Sequence, residues 1–280
     1  MSRREGYAYR LPRCYCRFGD YRVAYVRVGR GPALLLLHGL GGTADFWQPL
    51  LPHLAPNWTV LCPDLLGFGA SDKPPIAYTI AEHLGAIRAV LAHAGIPDLD
   101  AVVGHSCGGV LAMALLGLGV LPARRLVLAA TPYPSPMFPF QREILRSPFD
   151  RLMLGSPSAA TRVHESMLRL WPLLSRLPVP AAQRGAWAGY LEHTIPSYLG
   201  TAQHCIFGAN VDPWLPTVAS RPIMLLYGRR DRTIPPSQGD RLAAALSGSR
   251  LVPLQDGHMA ILTEGRGPLV DWLRRSSPRP

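Results

Sequence analysis

The chain has 280 residues, 48% hydrophobic and 17% charged, a balance that suits one folded core and excludes intrinsic disorder. Apolar runs such as Ala33–Leu37 are far too short to span a bilayer, and Met1–Arg13 lacks the apolar stretch of a secretory signal, so we expect a cytoplasmic protein without stable membrane insertion. The formal net charge of +11 comes almost wholly from arginines scattered between Arg3 and Arg279, with Lys73 the single lysine; no nucleic-acid-binding signature accompanies it, and we expect no nucleic-acid partner.

In chain order, two short strands come first, Cys14–Arg17 and Tyr21–Val28, joined by the turn Phe18-Gly19-Asp20. The Cys14-x-Cys16 spacing does not fit a zinc site and no second pair follows, so a strand with alternating faces is the plainer reading. Five scattered cysteines suit a reducing compartment better than a disulfide framework. Ala33–Leu37 is a buried strand running into His38-Gly39, and Thr59–Cys62 is another, ending at Pro63-Asp64. Thr79 and Glu82 form a capping-box pair at the start of a helix over Tyr78–His93. The strands Leu99–Val103, Arg125–Ala130, Ile223–Tyr227 and Arg250–Leu254 follow, with helices at Val110–Leu118, Ser237–Leu246 and Leu262–Arg274. Strands alternating with helices require crossover connections, which predicts an α/β fold with a mostly parallel, doubly wound sheet.

The alternation breaks between residues 131 and 216, where prolines at 157, 172, 178, 180 and 196 separate short amphipathic helices: Phe149–Leu154, Ala159–Leu170, Ala181–Leu191 and Ser197–Phe207. We read residues 1–130 and 217–280 as the core and 131–216 as an inserted helical lid, above the carboxyl ends of the strands, where parallel sheets keep their sites.

Within Val102-Val103-Gly104-His105-Ser106-Cys107-Gly108-Gly109, a serine stands between glycines where a strand turns into an apolar helix. Such a turn strains the central residue and lifts its side chain clear of the sheet. A serine hydroxyl needs a base to remove its proton, and the base needs a partner to orient it. His258 follows the strand Arg250–Leu254, and Asp231 follows Ile223–Tyr227, so a parallel topology brings both to the same sheet edge as Ser106. Asp256 and Asp212 compete for the acid role; Asp256 stands too close in sequence to reach around the His258 ring easily. The backbone N–H groups of Cys107, at a helix start, and of Leu40, in the glycine loop His38-Gly39-Leu40-Gly41-Gly42, are candidate oxyanion donors. Trp47, Phe138, Trp171 and Trp187 are candidate substrate contacts, with Phe46 and Trp47 equally placed to line a pocket or pack a helix. Arg142, Arg146 and Arg162 are candidates for reading a substrate anion. His38 and His105 read as backbone-bonded structural residues, and His83, His93, His164, His193 and His204 lack metal-like pairing.

In these motifs, together with Pro63-Asp64-Leu65-Leu66-Gly67-Phe68-Gly69-Ala70-Ser71, the Gly228–Pro235 loop and Gly257-His258, the chain resembles the α/β-hydrolase fold family over about Tyr21–Leu273. The resemblance implies a serine hydrolase with nucleophile Ser106, acid Asp231, base His258 and oxyanion amides at Leu40 and Cys107; it implies no cofactor and no metal. The residue after the nucleophile is usually larger and apolar, whereas Cys107 stands here. The expected partner is a small hydrophobic acyl or ester substrate. The same three residues also serve C–C bond hydrolases, cofactor-free perhydrolases and natural-product lyases or cyclases, and the scaffold can serve a non-enzymatic ligand receptor. The resemblance disfavours epoxide hydrolase and haloalkane dehalogenase activity, since the similar enzymes of those kinds use an aspartate where Ser106 stands.

Overall fold

Strands buried on both faces read as continuous apolar runs, and such runs form the middle of the sheet in this computed structural model, which describes residues 11–137, 148–174 and 189–275. Among the described residues, eight strands make one sheet in the order β1-β2-β4-β3-β5-β6-β7-β8. They are β1 (Cys14–Phe18), β2 (Tyr21–Val28), β3 (Ala33–Leu37), β4 (Thr59–Pro63), β5 (Leu99–His105), β6 (Ala123–Ala129), β7 (Ile223–Gly228) and β8 (Arg250–Leu254). The pairs β1–β2 and β2–β4 are antiparallel; all later pairs are parallel.

Successive strand residues point to opposite faces, and the core divides accordingly. Leu35, Leu37, Val102, Leu126, Leu128 and Leu225 join one cluster with helices α1 (Ile80–His93) and α2 (Cys107–Gly117). Leu34, Leu36, Val103, Val127, Met224 and Leu226 join the other, with Trp47 and the C-terminal helix Arg266–Arg275. Cys14 and Cys16, two residues apart, share one face of β1; Cys14 at the strand's start is exposed and Cys16 is buried.

Between β6 and β7 the described chain is helical, with α3 (Pro148–Gly155), α4 (Pro157–Leu174) and α5 (Ile195–Ala202) as its main elements. Proline acts here less as a separator than the sequence suggests. Pro172 lies inside α4 rather than ending it, because in the last turn its missing N–H forfeits a single helical bond. Pro157 and Pro196 sit in first turns, where the lost N–H has no intrahelical acceptor. The expected helix Ser197–Phe207 is divided, α5 being followed by a π turn, Gln203–Phe207. Most of the expected helix Ala181–Leu191 lies outside the described residues. The helix expected from Tyr78 starts at Ile80, since Tyr78 has φ +60° and Thr79 is the cap, with both halves of its capping box formed. After α5 the chain returns through β7 to α6 (Pro236–Ala245) and α7 (Arg266–Arg275).

The β5–α2 junction is tightly packed, backbone against backbone. A Cβ on Gly104 would fall on the Gly109 backbone, and one on Gly108 would strike the carbonyl oxygens of Leu37 and His38. Neither neighbour is a flexible side chain. Gly108→Ala is therefore expected to lower unfolding free energy by about 1–3 kcal/mol, measured by urea denaturation, because the helix must back away from β3.

Candidate active site

Ser106 occupies the junction between β5 and α2 with φ 53° and ψ −123°, a conformation L-residues rarely adopt. Its N–H donates to the Ala129 carbonyl at 2.9 Å, and its carbonyl accepts from Gly109 N–H at 2.9 Å, so the backbone is held on both sides. Although it stands at the N-cap position, its hydroxyl makes no capping bond. Cys107 is the first residue of α2, where an N–H has no intrahelical acceptor and the helix dipole favours negative charge.

Asp231 lies in the loop after β7 with its side chain wholly buried. One carboxylate oxygen accepts the N–H groups of Thr233 and Ile234, each at 2.8 Å; the other accepts His258 Nδ1–H at 2.8 Å. This bond fixes the tautomer: Nδ1 carries the proton, and Nε2 keeps its lone pair. The Asp231 and His258 loops are knit together, Arg229 N–H donating to Leu254 O at 2.7 Å and Arg230 N–H to Asp256 O at 3.2 Å. The competing acids are engaged elsewhere. Asp256 accepts from Gly257 N–H and the Thr263 hydroxyl, and Asp212 from the Ser135 hydroxyl.

His105 donates from Nε2 to the His258 carbonyl at 2.9 Å and stacks on Phe46 with ring centroids 4.5 Å apart. Burial, followed by the neighbouring His258, drives its pKa down to about 3. His38 accepts Leu65 N–H on Nε2 at 3.0 Å and donates from Nδ1 to Gly39 O at 2.8 Å; burial lowers its pKa as well. Both act as neutral structural histidines. The glycine loop turns at Gly41, whose φ of +72° suits glycine. A Cβ there would meet Tyr190 Cε2 at 2.8 Å, so the helical insertion rests directly on this loop.

A cavity of about 280 Å³ opens at this edge, and Leu40, Ser106 and His258 all line it. Phe46, Tyr190, Tyr198, Ile206 and Phe207 give it an apolar wall, and among the described lining residues none carries a permanent charge. The structure corrects one expected contact: Trp47 is fully buried in the core and does not line the cavity, whereas its neighbour Phe46 does. The short 3-10 turn Ala44–Trp47 decides this by pointing adjacent side chains in different directions. Trp171, half-buried on α4, is not part of the lining either, and Arg162 is exposed. Phe138, Trp187, Arg142 and Arg146 lie outside the described residues. Ile206 and Phe207 carried no usable sequence signal because they come from a π turn. Among the described residues, no group of three or more His, Cys, Asp or Glu is placed to hold a metal, and no helix is long and apolar enough to cross a membrane.

Beyond His105, burial also holds His83 and His193 at about 3. An unfolded histidine titrates near 6.5. Between pH 6.5 and 3 the unfolded chain thus binds protons that the fold refuses, so stability from these groups is complete above about 6.5 and falls as pH drops toward 3. Urea midpoints are expected to decline steadily from pH 7 to 4, and His193→Phe is expected to flatten that decline.

Comparison with known proteins places this geometry in context. The family described as alpha/beta hydrolase fold matches residues 32–265. An uncharacterised protein of Mycobacterium tuberculosis is 29% identical over 268 residues, covering 82% of this chain and 71% of that protein. The magnesium-chelatase 30 kDa subunit of Rhodobacter capsulatus is 26% identical over 278 residues, 91% of each. Among solved structures, an esterase from Rhodococcus sp. superposes with a TM-score of 0.75 at 20% identity, covering 95% of this chain and all of that one, a likeness of fold.

Proposed function

Since this chain belongs to the α/β-hydrolase fold family, we propose that it cleaves a carboxylic ester or related acyl bond of a small hydrophobic substrate through an acyl-Ser106 intermediate. The observation that carries this reading is the 2.8 Å bond from His258 Nδ1 to the buried Asp231 carboxylate, with Ser106 and His258 lining one cavity. Asp231 holds the imidazole in the tautomer whose Nε2 accepts a proton, and it stabilises the imidazolium that forms.

In the first step Ser106 Oγ attacks the substrate carbonyl while its proton passes to His258 Nε2. The carbonyl electron pair moves onto oxygen, where the N–H groups of Leu40 and Cys107 receive it. The intermediate collapses, His258 returns the proton to the departing alcohol, and an acyl-serine remains. Water, deprotonated by His258, then attacks this ester; His258 returns that proton to the departing Ser106 Oγ, and the acid is released.

Cavity size supports a modest substrate. A cavity of about 280 Å³ stands at the small end of the range of ligand pockets. The described part of the insertion between β6 and β7 acts as the lid of this site, since Leu154, Tyr190, Tyr198, Ile206 and Phe207 line the cavity.

Ser106→Ala is expected to reduce hydrolysis of p-nitrophenyl butyrate by at least about 10³-fold with an unchanged melting curve. A fluorophosphonate is expected to label wild-type Ser106 and not the variant. Full turnover in the alanine variant, or a wild type that neither hydrolyses nor labels, would remove the acyl-serine route.

A further inference from the structure

The loop that carries Leu40 is anchored at both ends to one corner of the protein, residues 64 and 65. At its start, His38 accepts the Leu65 N–H at 3.0 Å. At its end, Ala44 N–H donates to Asp64 Oδ1 at 2.6 Å. Asp64 also accepts Ala70 N–H at 3.0 Å, and its side chain is fully buried.

An isolated carboxylate buried to this degree is costly unless paired. Its cation comes from ahead of the first strand. Arg13 donates from Nε to Asp64 Oδ2 at 2.8 Å and from Nη2 to Asp64 Oδ1 at 3.3 Å. The same guanidinium reaches Asp45, Nη1 to Oδ1 at 3.0 Å and Nη2 to Oδ2 at 2.8 Å. Asp45 opens the turn just after the glycine loop and also accepts Leu11 N–H at 2.9 Å. Burial alone would lower the Arg13 pKa, but its bonds to Asp45 and its attraction to Asp64 raise it overall, so the cation is permanent. None of Arg13, Asp45 or Asp64 lines the cavity; the network stands behind the loop.

We propose that Arg13 is a positioning residue for catalysis: by clamping Asp45 and Asp64 together, it fixes the distal end of the His38–Gly42 loop and so aims the Leu40 amide at the developing oxyanion. This rests on the serine-hydrolase reading above. It follows that residues 11–13, which precede the sheet, support the site from behind without touching the substrate. The planar, forked guanidinium suits two carboxylates at once, whereas a lysine ammonium offers only a point charge.

Full-length wild type, Arg13→Met, Arg13→Lys and Asp45→Asn are compared in folding, in kcat and KM for p-nitrophenyl butyrate, and in affinity for an alkyl trifluoromethyl ketone. That ketone forms a tetrahedral oxyanion on serine and reads the oxyanion donors directly. Folded Arg13→Met is expected to lose about 10- to 100-fold in kcat, the scale of a small misplacement of catalytic groups, with KM within about twofold and inhibitor affinity falling in parallel. Arg13→Lys and Asp45→Asn are expected to lose less. Any folded Arg13 variant with wild-type kcat and inhibitor affinity overturns the proposal, as does a kcat loss with inhibitor affinity intact. Should Arg13→Met not fold, Arg13→Lys and Asp45→Asn decide by the same two readouts. Failure of all three to fold would assign Arg13 to global stability and equally overturn it. A wild type without turnover or fluorophosphonate labelling sinks the serine-hydrolase reading itself, an outcome distinct from a competent wild type indifferent to Arg13.

Discussion

Backbone crowding between β5, α2 and β3 governs the arrangement of the site. A helix that begins one residue after a central strand ends must pass within contact distance of that strand and of its neighbour. Gly104 and Gly108 are what allow it, since a methyl group at either would meet backbone atoms. The turn forces Ser106 to positive φ, and bonds to Ala129 and Gly109 hold it there. The same crowding sets the Cys107 N–H at the head of α2 and presses that helix against the carbonyls of Leu37 and His38, where the glycine loop begins.

Charge is distributed around this point with a consistent logic. The described lining of the cavity carries no permanent charge, while the buried ions sit behind it. Arg13 with Asp45 and Asp64 backs the glycine loop, and Asp231 is enclosed by two amides and the His258 ring. Near the amino ends of the central strands β5 and β6, Arg125 pairs with Asp100 and donates to Leu273 O, fastening the C-terminal helix. Electrostatic interactions strengthen as water is excluded, so a weakly polar cavity with fixed dipoles at its floor suits a reaction that develops negative charge on one oxygen. Neutral, buried histidines contribute as well: His38 and His105 shape the site through directed hydrogen bonds without adding charge to it.

Much of this was legible in the residues. Apolar runs located the inner strands of the parallel sheet, because burial on both faces leaves a continuous hydrophobic signature, whereas the edge strand Arg250–Leu254 is only partly buried. Ser106, Asp231 and His258 were individually visible because each closely follows an expected strand, and the structure joins Asp231 to His258. Details set by local geometry escaped. A 3-10 turn exchanged Trp47 for Phe46 at the cavity wall, α4 ran through Pro172, and a π turn brought Ile206 and Phe207 to the site. Arg13 gave no signal, since its partners stand 32 and 51 residues away and nothing distinguishes it from the other arginines.

From the sequence alone came the alternation of strands and helices, the strained serine turn and the loops carrying Asp231 and His258, because these are written in local periodicity and in the steric limits of glycine. Only the folded chain decided which aromatic lines the cavity, which charges stand behind the glycine loop and how large the cavity is. Those depend on distances between segments remote in sequence, and packing, unlike local propensity, is settled by every segment at once.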